Sequence, residues 1–408
     1  MLLDHVLKSV IKTGTLTIID AGGRRYSGGG GPGPSVTLRL HDPKLHYQLF
    51  FDPNLKVGEA FMDGTLTVED GEIYDVLALV ILNLGWGRGH WFQALTTRWR
   101  AMTRRLSQYN PVGAARHNVA HHYDLSDELY DLFLDADRQY SCAYYTDAEE
   151  SLEVAQENKK RHIAAKLLLE AENKVLDIGS GWGGLAMYLS DISGADITGV
   201  TLSAEQHKVS QERAIKAGLD DRVRFQLRDY REVEGRFDRI VSVGMFEHVG
   251  VGHFTEFFAK AYDLLAEDGV MLLHTIGRCD GPGATNPWLS KYIFPGGYSP
   301  ALSEILPVIE RAHMYVTDVE TLRLHYAETI RHWRQRFHAN RAQIEALYDA
   351  RFCRMWEFYL AGCEANFRHG GIVVYQIQLT KRLDAVPLTR DYIVDWERTH
   401  AAGSSRAA

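Results

Sequence analysis

The chain has 408 residues and a formal net charge of −8, with 45% hydrophobic and 24% charged residues. This length predicts two domains, and the hydrophobic fraction excludes a disordered chain. The acidic balance argues against a general nucleic-acid-binding protein, so we expect no nucleic-acid partner. The four cysteines have no CxxC spacing, which favours free thiols in a reducing compartment such as the cytoplasm. The longest apolar run, 76–84, is too short to cross a bilayer.

Residues 1–85 predict a small N-terminal α+β domain. Short strands are expected at 15–20 and 36–41, on either side of a glycine-rich stretch. That stretch could cradle a phosphate, but neither a Gly-Lys-Ser/Thr sequence nor a helix pattern follows it, which favours a hairpin loop. A second pair of strands is expected around 62–64, followed by a helix over 72–84.

Positive charge is concentrated in a basic linker segment, which we place at 86–120. No Asp or Glu occurs between Val76 and Tyr123, and the six arginines there leave a formal −14 on the remainder of the chain. Two interpretations stay open: a solvated linker helix, or an interfacial segment whose arginines bind lipid phosphates and whose tryptophans lie at the headgroup boundary. The candidate membrane-binding residues are Arg88, Arg98, Arg100, Arg104 and Arg105.

Residues 121–408 predict a second, larger domain of the α/β class. From residue 150 onward, β-rich runs alternate with helical runs, which indicates a mostly parallel sheet with helices on both faces. Beyond residue 300 the pattern is helix-rich, and it ends with an alternating strand at 372–381.

A glycine-rich loop, Asp177–Gly184, follows an apolar strand and opens a helix. Its glycines allow a tight turn close to a ligand, although a GxGxG pattern alone is also compatible with a dinucleotide. The early helix start leaves little room for a pyrophosphate, and Asp177 is suited to a cationic amino-acid end. The loop resembles the S-adenosylmethionine loop of Rossmann-like methyltransferases. Where generic members carry an acid for the ribose, this chain has Thr201, with Gln206 one turn later.

Several separated motifs, in the same order, resemble the cyclopropane-fatty-acid synthase family, including its mycolic-acid modifiers. They are HHYDLSDELYDLFLD, YSCAYY, VLDIGSGWGG, GVTLSAEQ, VGMFEHVG, LLHTIG, KYIFPGG and LHYAETIRHW, and they span roughly 117–382. The resemblance implies a Rossmann-like methyltransferase sheet with helical acyl-binding insertions, and S-adenosylmethionine as cofactor. The cofactor-binding residues it implies are Tyr140, Ser141, Asp177, Gly179, Ser180, Gly181, Trp182, Gly183, Thr201, Leu202, Ser203, Gln206, Asp229 and Tyr230.

The reaction that the resemblance implies adds a methylene to a cis double bond of a phospholipid acyl chain, with bound bicarbonate as the base. It assigns Cys142, His274, Tyr326 and the Ile276 backbone N–H as donors to that ion, and Glu247 as the group that orients the network and relays the proton. Cys363 matches a family cysteine, for which we favour packing or channel access. Aromatic faces would stabilise a carbocation. The candidates are Tyr140, Tyr144, Tyr145, Phe246 and Tyr326.

Other interpretations stay open. Taken singly, Glu247 and His274 are typical of satisfied polar groups at strand ends, and Tyr326 lies on a helical stripe typical of a core. A related enzyme would give a methyl- or methylene-branched chain, and a non-catalytic lipid-binding protein is the alternative outside enzymes. No metal site is expected, because no third ligand is spaced to join His121 and His122. We expect a homodimer, peripherally associated with the inner face of the membrane.

Overall fold

The computed structural model describes residues 2–85 and 125–400. The five candidate membrane-binding arginines, and the pair His121 and His122, lie outside these residues. Within the described ranges, no helix combines the length and the apolar character needed to span a membrane. The division of the chain near residues 85 and 120 stays a prediction.

The N-terminal part is a four-stranded sheet with four helices. Its elements are α1 (Leu2–Val10), β1 (Thr15–Ile19), β2 (Arg25–Gly29), β3 (Ser35–Leu40), α2 (Leu45–Phe51), α3 (Pro53–Met62), β4 (Leu66–Asp70) and α4 (Ile73–Leu84). The strand order is β2-β1-β3-β4, in which β1 pairs with β3 in parallel and the other two pairs are antiparallel. One face of this sheet and the helices α1 and α4 form a hydrophobic core.

Two sequence predictions for this part were wrong. The glycine-rich stretch is not a hairpin loop, because its residues 25–29 form β2, which takes the antiparallel place beside β1. Glycine fits there because a Cβ at Gly28 would lie 2.5 Å from the backbone of Leu7. The second strand pair is also absent: residues 53–62 form a helix with Pro53 at its first turn, and only β4 follows. The helix predicted at 72–84 is confirmed as α4.

The C-terminal part is built on a seven-stranded sheet. Its first elements are α5 (Asp127–Phe133), α6 (Leu152–Leu167), β5 (Lys174–Ile178), α7 (Gly184–Ser193), β6 (Asp196–Thr201), α8 (Ala204–Ala217), β7 (Val223–Leu227), β8 (Phe237–Val243) and α9 (Phe254–Leu264). The remaining elements are β9 (Leu265–Arg278), α10 (Pro287–Tyr292), α11 (Leu302–Arg311), β10 (Tyr315–Thr321), α12 (His325–Ala339), α13 (Arg341–Leu347), α14 (Ala350–His369), β11 (Ile372–Thr380) and α15 (Asp391–His400).

The sheet order is β10-β11-β9-β8-β5-β6-β7, with β5 to β9 parallel and the pairs made by β11 antiparallel. The chain order reverses between β5 and β8, so the crevice at their carboxyl ends is the expected ligand site of an open α/β sheet. The predicted α/β class, with a parallel-rich sheet and an added N-terminal α+β part, is confirmed.

The helices that follow β10 cover the carboxyl edge of the sheet and connect it to the N-terminal part. α12 and α14 form an aromatic core with α5, in which Trp333 and Trp356 are fully buried. α14 also packs against α3 and α4, where Ala361 completes the N-terminal core. Arg334 of α12 reinforces this junction, because it binds Glu72 at 2.7 Å and Glu364 at 2.9 Å.

Candidate active site

Two cavities meet at the carboxyl edge of the parallel strands. The first surrounds the glycine-rich loop after β5, and we call it the cofactor cavity. The second lies between the ends of β8 and β9 and the helices α12 and α14, and we call it the acyl cavity. Tyr140, Ser141, Gly244 and His248 line both cavities. A molecule in one cavity therefore lies beside a molecule in the other.

The glycine-rich loop needs its glycines for two close approaches. Gly179 has φ +86°, and a Cβ there would lie 2.8 Å from the side chain of Met245. Gly183 has φ +84° at the start of α7, and a Cβ there would lie 2.6 Å from the ring of Phe225. Both positions combine a left-handed backbone with a close neighbouring side chain, so a larger residue would be strained at either position.

Asp177 supplies the charge of the cofactor cavity. Its side chain is buried, and its Oδ2 has no hydrogen-bond partner. Burial raises the pKa of this carboxyl to about 7, although the charge of Lys159 works in the opposite direction. The hydroxyl of Ser180, in the same loop, is also buried without a partner. A buried carboxylate oxygen without a donor fits a cationic ligand group such as the amino end of S-adenosylmethionine.

The polar groups after β6 form a connected local network. Thr201 Oγ1 donates to Gln206 Oε1 at 3.0 Å and accepts from the Ser203 N–H at 3.2 Å. Ser203 caps α8, because its Oγ accepts from the Gln206 N–H at 3.2 Å. This arrangement presents Thr201, Leu202 and Gln206 to the cofactor cavity in place of an acid, while Ser203 is used to begin the helix.

Of the predicted cofactor-binding residues, all line this cavity except Gly183 and Ser203, which shape the loop and the helix start. Asp229 is held by Arg231, whose guanidinium donates to both carboxylate oxygens at 2.7 and 2.9 Å. Sequence reasoning did not single out several other lining residues. They are Arg138, Gln139, Gly184, Leu185, Arg228, Arg231, Gly244, Met245 and His248. His248 could have been noticed, because it follows Glu247 inside a quoted motif.

The strap formed by residues 139–145 separates the two cavities, and helix α6 holds it. Gln156 Nε2 donates to the carbonyl oxygens of Gln139 and Ser141 at 3.1 and 3.0 Å. Lys159 is fully buried, and its Nζ donates to Gln139 Oε1 at 2.6 Å and to Ser141 Oγ at 2.9 Å. On the other side, Thr329 Oγ1 accepts from the Ala143 N–H at 3.0 Å. The strap is thereby held by α6 and by α12, the helix that carries Tyr326.

Glu247 is the carboxyl group of the acyl cavity. It lies on a single 3-10 turn after β8, and its Oε1 accepts the Ile276 N–H at 2.5 Å. Its Oε2 is buried without a partner. Burial raises the pKa of Glu247 to about 7, against the lowering effect of the Ile276 hydrogen bond. A carboxyl group with a pKa raised in this way is suited to proton transfer.

The polar groups around Glu247 are neutral donors. Burial lowers the pKa of His274 to about 3, so its imidazole is uncharged, and its Nδ1 lies 3.2 Å from Gln376 Nε2. Burial raises the pKa of the Cys142 thiol, whose Sγ donates to the Ala143 carbonyl at 3.3 Å. The Ile276 N–H, which sequence reasoning assigned to a bicarbonate, donates to Glu247 instead.

The six predicted catalytic residues all line the acyl cavity. Three of the five aromatic candidates lie elsewhere: Tyr144 stacks between His162 and His325, and Tyr145 and Phe246 also fall outside the lining of both cavities. Tyr140 and Tyr326 do line the acyl cavity. The other aromatic rings of its wall are Phe294, Tyr298, Tyr359 and Phe367. Burial raises the pKa of Cys363 to about 12, so this thiol is inert at neutral pH.

The family model described as "Mycolic acid cyclopropane synthetase" matches residues 112–377, more than half of the chain. The chain belongs to this family. A protein of Pseudomonas putida named "Probable fatty acid methyltransferase" is 37% identical over 360 residues, which cover 86% of this chain and 88% of the relative. The cyclopropane-fatty-acyl-phospholipid synthase of Escherichia coli K12 is 37% identical over 349 residues, covering 85% and 88%.

Solved structures agree with this assignment. The cyclopropane synthase MmaA2 from Mycobacterium tuberculosis is 31% identical and has a TM-score of 0.62, over 66% of this chain and 99% of its own. The mycolic acid cyclopropane synthase CmaA1 complexed with SAH and CTAB is 33% identical with a TM-score of 0.62, over 67% and 99%. The chain is therefore an S-adenosylmethionine-dependent methyltransferase with a Rossmann-like fold.

Proposed function

We propose that the protein is a cyclopropane-fatty-acyl-phospholipid synthase, which transfers a methylene from S-adenosylmethionine to a cis double bond of a phospholipid acyl chain. The observation that carries this proposal is the junction of the two cavities at Tyr140, Ser141, Gly244 and His248. A cavity that contains the buried Asp177 and is fitted to a cationic cofactor opens there onto a more apolar one that contains Glu247 and His274. The named relative in Escherichia coli supports the same reaction.

The cofactor cavity is suited to S-adenosylmethionine, which supplies an electrophilic methyl group when bound. Asp177 would hold the amino end of the cofactor, because its unpartnered Oδ2 needs a positive neighbour. Thr201 and Gln206 would receive the ribose hydroxyls in place of an acid. An isolated double bond is a weak nucleophile, so the strap must align the two reactants and keep water out. Tyr140 and Ser141 carry out this alignment in our proposal, since both face both cavities.

The acyl cavity is suited to a reaction that passes through a carbocation on the acyl chain. The faces of Tyr326, Tyr359 and Phe294 would stabilise that charge, and the apolar wall would exclude the water that otherwise gives an alcohol. Ring closure requires the loss of a proton from the transferred carbon. Glu247 would take part in that transfer, because its raised pKa lets it accept and release a proton near neutral pH.

We further propose bicarbonate as the base, which would supply a small oxygen acceptor for that proton. Cys142, His274 and Tyr326 would hold the bicarbonate. The unpartnered Oε2 of Glu247 would lie beside the bicarbonate and would share with it the proton taken from the transferred carbon. The Ile276 N–H would fix the other carboxylate oxygen. Removal of dissolved carbonate should slow the enzyme, and bicarbonate should restore it. An unchanged rate without carbonate would contradict this part of the proposal.

Membrane association is proposed from the substrate. Burying about 16 methylenes is worth roughly 0.8 kcal/mol each, so an acyl chain must pass directly from a bilayer into the cavity. The arginines of the basic segment would bind anionic lipid, at about 1 kcal/mol each. A homodimer would present two such segments to one surface. Reversing the charge of Arg98, Arg100, Arg104 and Arg105 should abolish sedimentation with anionic vesicles, and unchanged sedimentation would contradict their role.

The proposed reaction is tested by the lipids of a host that expresses the protein. Mass spectrometry should show acyl chains heavier by one methylene, and proton NMR should show the upfield signals of a cyclopropane ring. A mass gain without those signals would favour the second candidate, a methyltransferase that gives a branched chain. This candidate is supported by the 36% identity to the tuberculostearic acid methyltransferase of Mycobacterium tuberculosis. Calorimetry without heat on addition of S-adenosylmethionine would instead favour a non-catalytic lipid-binding protein.

A further inference from the structure

The acyl cavity reaches the surface at the N-terminal part of the chain. Asn54, in the first turn of α3, is exposed to solvent and also lines this cavity. Pro287 and Leu289 of α10 line the cavity beside it. Glu59 of α3 joins the two helices, because its Oε1 accepts from Lys291 at 2.7 Å and from the Tyr292 hydroxyl at 3.0 Å. The helices α3 and α10 therefore form a fixed rim at a mouth of the acyl cavity.

Helix α2 presents an aromatic face next to this rim. Leu45 and Leu49 are buried, whereas Tyr47 and Phe51 are 61% and 62% exposed. A spacing of four residues puts Tyr47 and Phe51 on one side of the helix, away from the core. The Cα atoms of Phe51 and Asn54 are at most about 11 Å apart, since three peptide units separate them. Two large aromatic side chains thus lie in water beside the opening of an apolar cavity.

The charges around this face are mixed, with lysines at its borders. Lys44, directly before α2, is exposed, whereas Lys291 on the rim is paired with Glu59. Two acidic residues, Asp42 and Asp52, lie at the two ends of the helix. Asp42 accepts the backbone N–H of Lys44 at 2.8 Å through its Oδ1. Exposed aromatic rings beside a lysine are typical of surfaces that lie at the headgroup boundary of a bilayer.

We propose that the outer face of α2, with the rim at Asn54, is a docking surface for a phospholipid bilayer. Tyr47 and Phe51 enter the headgroup boundary, and Lys44 contacts a lipid phosphate. The mouth of the acyl cavity then faces the bilayer, and an acyl chain passes into it without crossing water. This inference rests on the proposed function, and it assigns a docking role to a part of the chain separate from the basic segment.

The test compares two double variants of the full chain. Tyr47→Ser with Phe51→Ser removes the aromatic pair, and Ile215→Ser with Leu383→Ser removes two residues that are 64% and 67% exposed and line neither cavity. Sedimentation is measured with vesicles of dioleoyl phosphatidylethanolamine and dioleoyl phosphatidylglycerol, at low and at high salt. The aromatic double variant should lose about tenfold or more in vesicle affinity at both salt concentrations, because its contribution is apolar. The control should bind as the wild type does.

Activity distinguishes this inference from the proposed function. The aromatic double variant should be slow on vesicles but as active as the wild type on the same lipid dispersed in detergent micelles. A wild type without activity in either form would refute the proposed function. Wild-type vesicle affinity in the aromatic double variant would refute the docking surface. A change of oligomeric state with unchanged vesicle binding would also refute it and would assign α2 to a contact between copies of the chain.

Discussion

The two cavities each contain one buried carboxyl group, Asp177 after β5 and Glu247 after β8. Both side chains have one oxygen without a partner, and burial raises the pKa of both to about 7. Their surroundings differ: the charge of Lys159 acts on Asp177, whereas Glu247 is fixed by the Ile276 N–H in a cavity with a largely apolar wall. A carboxyl group with a raised pKa can therefore serve either to bind a cation, as we propose for Asp177, or to transfer a proton, as we propose for Glu247.

A cation that binds beside Asp177 lowers the pKa of its carboxyl group, so this residue becomes a permanent anion in the complex. Nothing in the proposed reaction brings a lasting cation to Glu247, which keeps a pKa suited to proton transfer. We therefore expect Asp177 to determine the affinity for the cofactor and Glu247 to determine the rate.

Glu247→Gln should give the largest effect. Gln retains an oxygen that can accept the Ile276 N–H but cannot exchange the proton, so turnover should fall by about 10²- to 10⁴-fold. The affinity for S-adenosylmethionine, measured by calorimetry, should stay within about twofold of the wild type, a change of less than 1 kcal/mol. An equal loss of affinity would mean that Glu247 contacts the cofactor, and the contrast between the two carboxyls would fail.

The same variant should change the pH dependence of stability. The folded pKa of Glu247 is raised from 4.5 to about 7, so its stabilising contribution is present below about pH 4.5 and is lost as the pH rises through about 7. Gln does not titrate, so the variant does not lose this contribution. As the pH rises from about 4.5 to about 7, the free energy of unfolding of the variant should therefore increase relative to that of the wild type, by about 3 kcal/mol at most. Urea denaturation at several pH values measures it. Glu345→Gln, at an exposed position outside both cavities, is the control for the same substitution made on the surface.

Asp177→Asn should chiefly weaken cofactor binding. A hydrogen bond between charged groups contributes about 1.5–3 kcal/mol, so the affinity for S-adenosylmethionine should fall by about tenfold to a hundredfold. At saturating cofactor the turnover should recover most of the wild-type value. An Asp177→Asn variant that binds the cofactor normally but turns over slowly would contradict this role, because Asp177 would then act in the reaction and not in cofactor binding.

The cofactor cavity could be predicted from sequence to a large extent, because one short loop, Asp177–Gly184, makes much of it. The acyl cavity could not, because it combines residues from Asn54 to Val374 that only the tertiary fold brings together. Its catalytic candidates came from the family resemblance, and the prediction of which aromatic residues line it was partly wrong. Phe246 directly precedes Glu247, yet a single 3-10 turn directs its ring into the core beside Phe254 and Phe257.

The strands β1 and β3 match the predicted strands at 15–20 and 36–41, but the topology of the N-terminal sheet escaped prediction for a different physical reason. β2 contains two glycines, which have low strand propensity, and the close approach of Leu7 that requires Gly28 is invisible in the sequence. The parallel pair of β1 with β3 depends on the position of β2, so one missed strand changed the whole topology. The helix α3, which follows β3 and α2 in this part, contributes Asn54 to the mouth of the acyl cavity.

Two buried lysines of α6 differ in whether they bind the strap between the cavities. Lys159 binds the strap at Gln139 and Ser141, whereas Lys166, also fully buried, binds Glu320 instead. Lys159→Met removes two hydrogen bonds that position a wall common to both cavities. We expect kcat/KM to fall by about tenfold to thirtyfold for the cofactor and for the lipid alike, since the bonds contribute about 0.7–1 kcal/mol each.

Lys166→Met is the matched control, because it removes a buried charge from the same helix without touching the strap. Both variants should lower the melting temperature, but Lys166→Met should leave kcat/KM for both substrates near the wild-type values. Equal losses in both variants would mean that stability alone explains the effect. A loss confined to the cofactor would mean that Lys159 serves one cavity only. A loss for both substrates in Lys159→Met alone would show that the strap is a wall on which both cavities depend, the one that contains Asp177 and the one that contains Glu247.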